Sequence, residues 1–127
     1  MPVTILVVDD DPVIQNLLAL NFEMEGYSVA TANDGAEALD SIAARPPDVV
    51  VLDVMMPKVD GIEVVRRMKA DATTAAVPVL LLSARAQAKD VTAGLEAGAD
   101  AYMTKPFDPA DLLERVASLL KGTGGEH

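Results

Sequence analysis

Apolar positions along the chain fall into two alternating patterns. Ile5-Leu-Val-Val8, Val49-Val-Val-Leu52 and Val79-Leu-Leu-Leu82 are continuous aliphatic, β-branched runs, and runs without polar alternation are strands buried on both faces, as in a parallel sheet. Between them the apolar positions recur at helical spacing. Asp11 is placed to cap a helix with Pro12 at its first position, Ile14, Leu17, Leu18 and Met24 on one predicted buried face, and Gly26 at its end. A weaker strand around Tyr27 to Thr31 leads to Asn33 or Asp34, either of which can cap a helix carrying Ala36, Leu39 and Ile42. Pro46-Pro47 stops that helix, because proline removes a donor and clashes with the preceding turn. Gly61 to Ala70 makes a third helix with Ile62, Val65 and Met68 inward, and Gln87 to Ala97 makes a fourth that ends at Gly98. A short strand, Ala101 to Thr104, follows. Asp108-Pro109 opens the last helix, with Leu112, Leu113, Val116, Leu119 and Leu120 on one face.

Five strands alternating with five helices predict an α/β fold, an open doubly wound five-stranded parallel sheet with helices on both faces. The length of 127 residues suits one domain, here residues 1–121, with 122–127 a flexible C-terminal tail that has nothing to bury. In such sheets ligands sit beyond the carboxyl ends of the strands, at the point where strand order reverses.

Charge and composition narrow the function. Ten Lys and Arg stand against twenty Asp and Glu, a net −10, and the aromatics are only Phe22, Tyr27, Tyr102 and Phe107. Direct nucleic-acid binding needs a positive field and stacking platforms, and this segment has neither. With no Cys, disulfides, thiolate metal sites and thiol catalysis are excluded. Met1-Pro2-Val3 lacks a basic signal-peptide start, and no apolar run approaches the roughly 20 residues a membrane span needs. The expectation is a cytoplasmic protein without membrane contact.

Candidate chemistry collects at one end of the predicted sheet. The first strand finishes in Asp9-Asp10-Asp11, the third in Asp53, the fourth in Ser83-Ala84 and the fifth in Lys105-Pro106. Carboxylates within ~5 Å repel by roughly 3 kcal/mol per pair at an effective dielectric near 20, so such a cluster holds a cation or shifts a pKa. With only oxygen ligands at hand, Mg²⁺ suits the cluster. A carboxylate nucleophile, a metal, the Ser83 hydroxyl and the Lys105 ammonium together describe phosphoryl transfer. Asp11 is read as a helix cap, and Phe107 as core or interface.

The residues Val7-Val-Asp-Asp-Asp-Pro12, Leu52-Asp53-Val-Met-Met-Pro57 with Asp60-Gly61, Leu82-Ser83-Ala84, Gly98-Ala-Asp100 and Tyr102-Met-Thr-Lys105-Pro106-Phe107 resemble a two-component response-regulator receiver domain of the chemotaxis-regulator kind. The resemblance runs from Thr4 to about Leu120. It implies a flavodoxin-like (βα)5 fold and a phosphorylation-activated switch that catalyses only its own phosphorylation and dephosphorylation. It further implies Asp53 as phospho-acceptor, and Mg²⁺ held by Asp9, Asp10, Asp53 and the Met55 backbone carbonyl. Ser83 would contact the phosphoryl oxygen, Lys105 would pair with it, and Tyr102 would turn inward as Ser83 moves. A cis Lys105-Pro106 peptide is also implied. The donor would be a histidine kinase or a histidine phosphotransfer protein, acting directly or in a phosphorelay.

Other readings stand beside this one. Asp9-Asp10-Asp11-Pro12-Val13 also fits the Asp-x-Asp-x-Val nucleophile motif of haloacid-dehalogenase-type phosphohydrolases, with Asp9 attacking; Pro12 starting a helix at once, and a chain too short for a cap module, count against it. A degenerate receiver is disfavoured because every expected position is filled. In receivers of the winged-helix transcription-factor group, the face of the fourth helix, fifth strand and fifth helix carries charge pairs that join subunits. Val91 and Ala101 stand where charges would be expected, although Asp100 and Arg115 remain. The expectation is therefore a stand-alone regulator or phosphorelay shuttle, monomeric or weakly dimeric on phosphorylation, with a receiver excised from a longer transcription factor or enzyme as the alternative.

Overall fold

The computed structural model describes residues 3–56 and 59–122, so Pro57 of the motif and 123–127 of the predicted tail lie outside the described residues. The strands are β1 (Thr4–Val8), β2 (Ser28–Ala32), β3 (Val49–Asp53), β4 (Val79–Ser83) and β5 (Ala101–Thr104). The helices are α1 (Pro12–Met24), α2 (Gly35–Ala44), α3 (Gly61–Ala70), α4 (Ala88–Ala97) and α5 (Pro109–Gly122). All neighbouring strands pair in parallel, in the order β2-β1-β3-β4-β5. The chain thus leaves β1 toward one edge and returns to its other side as β3, making the crevice between the carboxyl ends of β1 and β3 the switch point.

Because side chains alternate across a strand, the apolar runs feed two cores. Leu6, Val8, Val50 and Leu52 pack with Ile42, Val65 and Met68 on the α2, α3 and α4 side. Ile5, Val7, Val49 and Val51 pack with Leu18, Phe22, Leu112 and Val116 on the α1 and α5 side. Three helix starts are fixed by short acids whose carboxylates accept amide hydrogens: Asp11 from Val13, Asp34 from Glu37 and Asp60 from Glu63, at 2.8–2.9 Å. α4 ends on Gly98 in the left-handed region, at φ 119°.

The expected face of α1 needs correction. Leu18 and Phe22 are buried, whereas Leu17 and Met24 are 44% and 75% exposed. Glu23 is the single charged residue of this helix, and its other polar residues, Gln15, Asn16 and Asn21, do not gather on one face; Phe22 is buried edge-on to Tyr27, with ring centroids 6.2 Å apart. In α2 the buried residues are Gly35, Ala38 and Ile42, with Ala36 and Leu39 half-buried. In α5, Leu112 and Val116 are buried while Leu113, Leu119 and Leu120 are half-buried.

Candidate functional site

The register Val8↔Leu52 sets the residues that follow β1 beside the last residue of β3. Asp9, Asp10 and Asp53 each offer a carboxylate oxygen, and these oxygens lie within 4.8 Å of one another. Asp9 and Asp53 are buried and Asp10 is exposed. Lys105, which directly follows β5 and precedes a cis peptide bond to Pro106, reaches over the end of β4. Its Nζ lies 3.1 Å from Asp9 Oδ2 and 3.3 Å from Asp53 Oδ2. Three carboxylates and one ammonium sum to −2, so one divalent cation on hard oxygen donors would neutralise the group; the donor set fits Mg²⁺.

Each buried acid is held from several sides. The Asp9 amide donates to the Ala32 carbonyl at 3.2 Å, Asp9 Oδ1 accepts from the Asp11 amide at 2.9 Å, and Oδ2 accepts from Lys105. Asp53 Oδ1 accepts from the Met55 amide at 3.1 Å. Behind Asp53, Gly61 donates to the Val54 carbonyl at 2.9 Å, and a Cβ at Gly61 would come 2.5 Å from the Asp53 carbonyl oxygen. Burial pushes the Asp53 carboxyl above its ordinary range, against the Met55 amide and Lys105, which pull it down, and with help from the Asp9 charge. For Lys105, burial opposes the charged form, but the carboxylates of Asp9 and Asp53 outweigh it and hold the ammonium above its ordinary value.

A family model for the response regulator receiver domain matches residues 5–117. The chain belongs to that family. It is 50% identical over 123 residues to the response regulator MprA of a Mycobacterium species (strain KMS), covering 97% of this chain and 53% of MprA. It is 46% identical over 119 residues to the DNA-binding dual master transcriptional regulator RpaA of Synechocystis, covering 94% and 49%. This receiver domain thus spans about half the length of the curated relatives it matches. Among solved structures, the receiver domain of the Francisella response regulator 1452 superposes with TM-score 0.89 at 38% identity, over 94% of this chain and 98% of that one. Receiver domains are phosphorylation-activated switches of two-component systems rather than turnover enzymes, which sets aside the phosphohydrolase reading of Asp9.

The receiver brings together Asp9, Asp10, Asp53 and Lys105 as expected; Ser83 joins them through its backbone, its carbonyl accepting from the Lys105 amide at 2.8 Å, while the side chains of Ser83 and Tyr102 bond elsewhere. Ser83 is fully buried at the end of β4, with Oγ accepting from the Arg85 amide at 3.0 Å and making no hydrogen bond to the acids among the described residues. Tyr102 is half-buried and its hydroxyl donates to the Arg85 carbonyl at 2.9 Å. Both are therefore tied to the loop between β4 and α4. Met55 and Arg85 line an open cleft beside the acids, together with Asp10, Val54, Met56 and Asp60.

Three residues at the site were not singled out by sequence reasoning. Gly61 was read only as part of a motif, although the residue packed against Asp53 can carry no side chain. Gly94 is the buried residue of α4, because a Cβ there would stand 2.9 Å from both Leu81 and the Tyr102 ring. Gln15, an amide one turn into α1, hydrogen-bonds the ends of β1 and β2. Nothing in the sequence marks Gln15 out, since α1 also carries Asn16, Asn21 and Glu23.

Proposed function

We propose that this domain receives a phosphoryl group on Asp53 from a histidine kinase or histidine phosphotransfer protein and changes partner binding in response. The observation that carries the reading is the Lys105 ammonium held between Asp9 and Asp53 inside a three-carboxylate cluster with a −2 sum. In the transfer, the phosphorus–nitrogen bond of the donor breaks and a phosphorus–oxygen bond to an Asp53 carboxylate oxygen forms. Asp9, Asp10, Asp53 and the Met55 backbone carbonyl would hold Mg²⁺, which would supply neutralising charge at the transferring group. Lys105 exchanges its contact with Asp53 for a phosphoryl oxygen, and the Ser83 hydroxyl turns from the Arg85 amide toward another. The added charge is about −1.5 to −2. Moving the loop at Arg85 releases the tether of Tyr102 and biases its ring inward, so the change emerges on the face of α4, β5 and α5.

Two surface features bear on partners. Val13, Leu17, Leu20 and Met24 form an exposed uncharged stripe on α1, and Leu17 continues into an apolar cleft lined by Ile14, Ala84, Pro106 and Phe107 beside the rim. We assign this surface to docking of the phosphodonor protein, and it gives Phe107 its interface role. On the output face, Asp100 already accepts from the Val79 amide at 2.8 Å and faces Lys69 at 3.7 Å. Val91 and Ala101 leave two of the expected pairing positions uncharged, while Asp111 and Arg115 stay on the same surface, and we read the domain as a monomer or a weak dimer on phosphorylation. Against a polyanion the net −10 is unfavourable, so the role of this segment is the switch, whatever DNA contact a longer relative such as RpaA makes elsewhere. No helix among the described residues is long and apolar enough to cross a membrane; a cytoplasmic setting is part of the proposal.

The test is labelling with a small phosphodonor and Mg²⁺. Intact mass should show one added phosphoryl group in the wild type and none in Asp53→Asn. Unchanged labelling in the variant refutes the assignment.

A further inference from the structure

Asp10 is the exposed member of the acid cluster, and its carboxylate makes no hydrogen bond or ion pair with the described residues. Asp9 and Asp53 are held through their side chains. The point from which the Asp10 side chain starts is set by the peptide plane it shares with Asp9. That plane is rigid, because the six atoms from one Cα to the next are coplanar.

One side chain grips the plane. Gln15 Nε2 lies 3.1 Å from the Asp9 carbonyl oxygen, 3.0 Å from the Ala32 carbonyl oxygen and 3.1 Å from Asn33 Oδ1. An amide nitrogen has two hydrogens, so three acceptors at these distances share them, and the group bridges the ends of β1 and β2. The Ala32 carbonyl also takes the Asp9 amide. Asn33 is fixed in turn: its amide and side chain donate to the Glu37 carboxylate at 3.0–3.4 Å. A chain of contacts runs from α2 through Asn33 and Gln15 to the Asp9–Asp10 peptide.

We propose that Gln15 is a positioning residue of the metal-binding acids, fixing the Asp9–Asp10 peptide plane so that the Asp10 carboxylate meets those of Asp9 and Asp53. The role is indirect, since Gln15 touches neither the acid side chains nor Asp53. It parallels outer-shell groups that orient metal ligands, whose loss weakens binding by about 10–100-fold. The inference rests on the Mg²⁺ reading given above.

The experiment is a Mg²⁺ titration of the full chain without phosphodonor, followed by amide chemical shifts in wild type, Asp10→Asn, Gln15→Met and Asn33→Ala. Gln15→Met keeps the length and helix-forming character of the side chain and removes both hydrogens. It should weaken Mg²⁺ about tenfold and shift the Asp10 amide resonance before any metal is added, while high Mg²⁺ restores the wild-type end point. Asn33→Ala leaves Gln15 its two carbonyl acceptors and should weaken Mg²⁺ less; it keeps the test in force if Gln15→Met does not fold. Wild-type affinity in Gln15→Met, or in a non-folding case a loss in Asn33→Ala that is nil, overturns the positioning role alone. Absence of binding in the wild type overturns the metal reading and this inference with it, and the Asp10→Asn arm separates the two.

Discussion

α3 and α4 have ten residues each and flank the same side of the sheet, yet they are anchored very differently. α3 starts from the Asp60 cap, buries Val64, Val65 and Met68, and sets Gly61 against the Asp53 carbonyl. Gln87 starts α4 with no side-chain cap, and the helix buries only Gly94. Segments with few buried apolar contacts open at least cost. So the helix behind Asp53 is fixed, and α4 is loosely attached. Tyr102 serves α4 twice: its ring is the floor under Gly94, and its hydroxyl holds the Arg85 carbonyl on the loop that leads into the helix. A change of charge at the rim therefore meets a rigid wall on one side and a yielding element on the other.

The largest test of this contrast is in the cores of the two helices. Met68→Ala in α3 should cost about 2–5 kcal/mol of unfolding free energy, the range for emptying a buried site of this size. Val91→Ala, half-buried on α4, should cost below about 1 kcal/mol. Urea unfolding of both variants measures this, and equal losses would break the comparison.

A second test uses the cleft that the two sides share, with Met55 from the loop before α3 and Arg85 from the loop before α4. Neither side chain is a carboxylate or amide suited to orienting water in line with the scissile bond, and Arg85 is long enough to pair with phosphoryl oxygens. Slow self-dephosphorylation is expected. Met55→Asn combined with Arg85→Glu should shorten the phosphoryl lifetime by up to roughly 10²-fold, the low end of what a positioned base supplies. Identical decay of label in wild type and double variant would mean that the cleft does not gate water.

Much of the rigid wall could be read in the sequence, and little of the yielding side. Three unbroken apolar runs can only be buried strands, and acids after two of them with a lysine after a fifth strand leave few alternatives for the rim. The rotation of α1 was not legible, because a helix with Glu23 as its lone charge has no polar face. Gly61 and Gly94 act through a neighbour's backbone or ring, which only the packed structure brings near. Ser83 was legible as the residue that ends β4 but not in the orientation of its hydroxyl, since that depends on the conformation of the loop at Arg85.

Charge offers a third test. Burial raises the Asp53 carboxyl above its ordinary 3.8, so without metal the folded state binds this proton more tightly than the unfolded chain does. Stability then falls as pH rises from the unfolded value through the raised folded one. Lys105, held above 10.5, contributes stability that is complete below that value and is lost only in alkali, so it does not alter the acid window. Metal-free Asp53→Asn should accordingly be more stable than wild type at neutral pH, with the difference shrinking as pH falls toward 3.8. Thermal melts across pH 3–8 check this, and a gap that widens on acidification would reverse the sign.

The smallest expected effect bears most directly on α4. Gln87 sits at the N-cap with extended backbone, φ −71° and ψ 151°, the conformation from which a short hydroxyl can accept from an amide of the first turn. The glutamine gives no side-chain cap, and the Asp90 amide of the first turn bonds only the Gln87 carbonyl, at 3.0 Å. Gln87→Ser should add about 1 kcal/mol to α4, and because each 1.4 kcal/mol is tenfold, amide exchange within α4 should slow about fivefold if the helix opens on its own. The protection of α3 should not change, since Asp60 already caps that helix. The same substitution should reduce the chemical-shift response of α4 on phosphorylation of Asp53, because a stiffer helix needs more driving energy to move. If exchange slows equally in both helices, α4 does not open separately, and the division into a fixed and a yielding side fails.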